Sequence, residues 1–170
     1  MPIVASDIKI RLSGGAANSN VNLSLGGAKS TTEVVDNTAH NLFDQVTGSE
    51  SGSGDTEYRC VYIHNNHASL TMQNVRVYIQ SNSTSVDDTW EIALGSSAVN
   101  GTEQTIADEN TAPTGVTFSS TAVSYATGLA PPDIPFGQHK ALWYKRIVNP
   151  AAAAINNNSV TINVDCDTAA

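Results

Sequence analysis

The chain has 170 residues, 40% of them apolar and only 14% charged, with a formal net charge of −8. That length suits one domain whose core can stand without disulfides or metals, and a composition this poor in charge is not that of a disordered chain. The acidic balance repels phosphate backbones and excludes sequence-independent nucleic-acid binding, and no apolar run reaches the length of a membrane span.

Met1–Ser6 carries apolar Pro2, Ile3, Val4 and Ala5 but neither a basic start nor a long apolar stretch. A standard secretion signal is therefore not expected. The segment reads as an N-terminal arm over residues 1–6, ahead of a single domain over 7–170. Ile8, Ile10 and Leu12 then alternate with Lys9 and Arg11, the period of a half-buried strand ending at Gly14-Gly15. Asp36–Val46 is the one stretch that reads as a helix, with Asn37 or Thr38 as N-cap and Leu42, Phe43 and Val46 on one side. Just upstream, Thr31, Thr32 and Glu33 favour an extended chain. Gly48–Asp55 (GSESGSGD) reads as a flexible loop.

Tyr58–His64 and Ala141–Val148 are apolar on both faces, as central strands should be. Half-buried strands are expected around Val75/Val77/Ile79, Trp90/Ile92/Leu94 and Val160/Ile162/Val164, each alternating with polar neighbours. Val116–Ser119 and Val123–Tyr125 read as shorter strands, and Asn156–Ser159 as a tight connection into the last one. The pattern predicts an all-β protein: an antiparallel β-sandwich or jelly-roll-like single domain with at most one short helix.

Motifs for chemistry are lacking. Gly14-Gly15 and Gly26-Gly27 fall in no phosphate-binding pattern. His64 and His67 flank an expected turn, and two ligands leave a tetrahedral metal site half empty, so both read as turn histidines. Asp87-Asp88, Asp108-Glu109-Asn110 and Asp165/Asp167 could offer oxygen to calcium, but none follows a calcium-loop spacing and they read as solvated acids. No nucleophile elbow is present, and Glu91 beside Trp90 reads as a solvent-facing residue. Trp90 and Trp143 are expected in the core, with Tyr144 at its edge. Cys60 and Cys166 form no C-x-x-C pair and read first as reduced thiols, with one structural bridge as the alternative. The expectation is of no catalytic residue, no cofactor and no metal. The four Asn-x-Ser/Thr sequons reflect composition alone.

Asp44–Asn65 (DQVTGSESGSGDTEYRCVYIHN), Gly101–Phe118 (GTEQTIADENTAPTGVTF) and Asp133–Val148 (DIPFGQHKALWYKRIV) are the most individual segments. With the Asp7–Ser13 strand and the GGA repeats at Gly14–Ala16 and Gly26–Ala28, the whole chain resembles the small virion structural proteins of tailed bacteriophages. The resemblance implies a non-enzymatic particle component made in the host cytoplasm, foremost a capsid decoration (cement) protein on the head. A tail or baseplate component, or a carbohydrate-binding adhesive sandwich, is the alternative. The implied partners are the major capsid protein and further copies of the chain, as a trimer, with Pro2, Ile3, Val4 and Ala5 as assembly contacts and no nucleic acid or membrane involved.

Overall fold

The structure is a computed structural model and describes residues 2–168. In chain order its elements are β1 (Ile8–Leu12), β2 (Gly26–Gly27), α1 (Gly48–Ser53), β3 (Asp55–Asn65), β4 (Met72–Ser81), β5 (Asp88–Leu94), β6 (Glu103–Thr105), β7 (His139–Val148) and β8 (Thr161–Thr168). Single turns of 3-10 helix lie at Ala5–Asp7 and Val21–Leu23. The fold is all-β and antiparallel, as the alternating pattern predicts.

A four-stranded sheet in the order β1-β3-β7-β5 forms the frame. Its central strands β3 and β7 are the two segments apolar on both faces, because each face meets its own core. On one face Val61, Ile63, Ile92, Leu142 and Tyr144 pack against Met72, Val75, Val77 and Ile79 of the β4–β8 ribbon. On the other, Tyr58, Cys60, Tyr62, Ala93, Ala141 and Trp143 lie under Leu25, Ile106, Val116 and Phe118 of the long connections. Those connections meet in the small β2–β6 pair. Full burial of one such side chain is worth about 1.5–3 kcal/mol. Gly26 permits the β2–β6 approach: its φ is +96°, and a Cβ there would fall 1.8 Å from the Gln104 carbonyl oxygen.

Three expectations need correcting. Asp36–Val46 is not helical; Asn37 and His40 have left-handed φ of 57° and 56°. Leu42 and Phe43 are buried as expected, but the Asp44 carbonyl accepts a 2.8 Å bond from Arg146 Nη1. The helix lies instead at Gly48–Ser53, in the expected loop. Thr47 Oγ1 there accepts from the Glu50 N–H, while Glu50 Oε2 accepts from the Thr47 N–H at 2.6 Å, a capping box closed by Gly54 at φ 79°. Val116–Ser119 and Val123–Tyr125 are not strands either; only Ser119 pairs, across to Ile92.

Most strand edges are covered. Ser30, Thr32 and Val34 bond along β1 through Leu12 and Ile10, and Ser119 exchanges bonds with Ile92 of β5. Ala122, Leu129 and Ile134 bond along β4 through Ile79, Val77 and Met72.

Candidate functional site

The expected assembly residues lie at the start of the described chain. Pro2, Val4 and Ala5 are exposed, while Ile3 is half-buried against the larger core. The Ile3 N–H donates to Thr168 Oγ1 at 3.1 Å, so the arm is tied to the end of β8. Val4, at 51% exposed, is a large apolar side chain of the arm facing outward.

A polar group gathers around Phe43 on the larger-core face of β3 and β7. Antiparallel register sets Glu57 of β3 directly opposite Arg146 of β7. Arg146 Nε donates to Glu57 Oε2 at 2.5 Å, and its Nη2 lies 3.7 Å from an Asp44 carboxylate oxygen. Arg59, two residues along β3 and fully buried, pairs with Glu109. Both guanidiniums stack on Phe43, 4.9 Å (Arg146) and 5.3 Å (Arg59) from the ring centroid. Burial pushes the Glu57 carboxyl up to about 7 against the pull of Arg146. Oxygens of Asp44, Glu57 and Glu109 lie within 4.8 Å of one another. Three acids so close could hold a hard cation, but each is already paired with one of the two arginines. The chemistry here is ion pairing that clamps the Phe43 and Glu109 segments onto the sheet. Glu109 is thus an ion-pair partner, not a solvated acid.

A second polar group sits on the opposite face. Glu103 accepts from the Ser97 N–H and the Ser96 hydroxyl, both at 2.9 Å, and from the Gln104 N–H at 3.2 Å. Burial alone would raise its carboxyl; these donors outweigh it and hold the group down to about 2. The Glu103 N–H donates to the Tyr62 hydroxyl, which donates to the Gly27 carbonyl at 2.5 Å. Lys140, which leaves β7 on the face of Ile63, donates from Nζ to the carbonyls of Gly95 and Ser97 beside this group. Gly95 makes room for the carboxylate: a Cβ would stand 2.2 Å from Glu103 Oε2. Glu, Lys and Tyr are residue types of acid–base sites, yet here each is bonded to the chain itself.

The histidines are not brought together as a 64/67 pair. His67 Nδ1 accepts from the Ser69 and Leu70 N–H groups, a turn role as expected. His64 instead faces His139 across β3 and β7. Burial first, and then Lys29, lowers both imidazoles below their ordinary value. Trp143 is fully buried, while Trp90 is only half-buried, edge-on to Phe43 at 4.8 Å. Glu91 is half-buried and bonded to Lys145 at 2.9 Å rather than facing open solvent. Asp165 accepts from the Tyr78 hydroxyl at 2.7 Å and Asp167 from the Asn74 amide at 2.9 Å. Both thiols are free, Cys60 buried and Cys166 partly so. A shallow groove runs beside α1 past Gly54, Asp55, Asn110, Val148 and Pro150.

No protein-family profile matches the chain, and no curated protein or solved structure matches it.

Proposed function

We propose that this chain is a non-enzymatic structural protein of a bacteriophage particle, and that it decorates the capsid. It would act as a homo-oligomer bound to the major capsid protein. The observation that carries the reading is where the ionisable groups go. Glu57, Arg59, Arg146, Glu103 and Lys140 are buried and spent on the chain's own loops and strands. What the molecule offers outward includes Val4, Val86, Val123 and Phe136. Such a surface binds neighbours by apolar and uncharged polar contact. Binding only the assembled shell would stabilise it by mass action, with no active site required.

Electron microscopy of intact particles tests the location: copies spread over the shell are expected, and a few at the tail would overturn decoration. The arm is tested by Val4→Asp, since deleting the segment would also strip Ile3 from the core. Occupancy should fall several-fold at an unchanged melting temperature; unchanged occupancy rules the arm out as a contact. Tyr125 and Phe136, exposed rings on loops, favour the carbohydrate-binding reading as the second one. Glycan binding abolished by Tyr125→Ala would establish it.

A further inference from the structure

We infer that β8 is a pairing edge, and that two copies of this chain join there as antiparallel strands about a two-fold axis. Among the described residues, β8 pairs with β4 and the backbone of its other side makes no backbone hydrogen bond, the arm reaching only the Thr168 hydroxyl through the Ile3 N–H. Which groups are left over follows from β4. Met72, Val77 and Ile79 spend their N–H and C=O groups on Ile134, Leu129 and Ala122, away from β8. In an antiparallel ladder the residues opposite them are then non-hydrogen-bonded pairs and point the other way. Those residues are Thr168, Val164 and Ile162. Their amides and carbonyls, with those of Cys166 between them, form an unpaired row along the edge. Such rows are templates for another strand.

The side chains say which strand fits. Ile162, Val164 and Cys166 pack on the larger core yet are only partly covered. With the axis at Val164, each Val164 faces its copy, Ile162 faces Cys166, Asn163 faces Asp165 and Thr161 faces Asp167. Apolar residues thus meet on the inner face, and each carboxylate meets an uncharged partner on the outer one. Moving the axis to Cys166 would set Asp165 against Asp167, a like-charge pair that sheets disfavour. Centred on Val164 the edge is therefore complementary to itself, and the β4–β8 ribbons of two copies become one four-stranded sheet. An isologous contact of this kind closes as a pair, where the chain's resemblance implied a trimer. It needs no particle, so it stands or falls apart from the virion reading.

The test uses the full chain in solution. Sedimentation equilibrium should show a monomer–dimer equilibrium at micromolar concentrations. Val164→Pro removes the outward N–H, along with the valine's packing on the core, and should weaken the dimer by about tenfold or more. Cross-linking reads the register without relying on that variant's fold. Ile162→Cys with native Cys166 should oxidise to a covalent dimer, because hydrogen-bonded pairs hold their Cα atoms at about 5.5 Å, within disulfide reach. Ile162→Cys combined with Cys166→Ser should not. A chain that stays monomeric at all concentrations, or cross-linking indifferent to Cys166, overturns the proposal.

Discussion

Glu57 and Glu103 are both almost wholly buried, yet their environments pull their carboxyls in opposite directions. Glu57 is raised to about 7 by burial, so the folded chain holds a proton there that the unfolded chain has already lost. Its contribution to stability is full below the unfolded value of about 4.5 and is lost as pH rises through about 7. Glu103 is held down to about 2 by its hydrogen-bond donors. Its contribution is full above about 4.5 and is lost as pH falls through about 2. Thermal melts across pH should therefore separate the two. Glu57→Gln should flatten the decline between about pH 4.5 and 7, and Glu103→Gln should flatten the decline between about pH 4.5 and 2. Glu103→Gln should also cost about 1.5–3 kcal/mol at pH 7, the range for hydrogen bonds to a charged group. An unaltered pH profile in either variant would contradict the assignment for that residue.

At the scale of elements, α1 is short and held by its ends. Thr47→Ala removes the oxygen that accepts from the Glu50 N–H, and a lost N-cap costs about 1 kcal/mol. The drop should appear in urea unfolding, whereas Gln45→Ala, at an exposed residue in the neighbouring non-helical segment, should cost less. The same element shows what the sequence conveys. The Thr-x-x-Glu signature at Thr47 and Glu50 was present, but four flexible Gly and Ser residues in the following run spoke for a loop. Conversely Leu42, Phe43 and Val46 had a helical spacing, and two of them are indeed buried. Phe43 is covered by guanidiniums from strands distant in sequence, and the local backbone is irregular. Strands were legible because period-two alternation is a local property. The charge cluster was not, because it depends on the β3–β7 register that puts Glu57 opposite Arg146, and register is a relation between two segments.

For the whole molecule, β3 and β7 belong to both cores at once. Val61 and Leu142 face one core, while Tyr62 and Trp143, next to them in the chain, face the other. Neither core can come apart without disturbing strands that line the other, so the domain should unfold in one step. The two tryptophans make this testable, since Trp90 packs on the larger core and Trp143 lies in the smaller. In Trp143→Phe, fluorescence reports the larger core alone; in Trp90→Phe, the smaller. Within each variant the fluorescence midpoint in urea should coincide with that of far-ultraviolet circular dichroism. The Trp143 substitution should shift both midpoints further, because its ring is fully buried and that at Trp90 is not. A smaller core that melted earlier than the strands beneath it would mean that the long connections carrying Leu25, Ile106 and Phe118 are a separately unfolding cover rather than part of the domain.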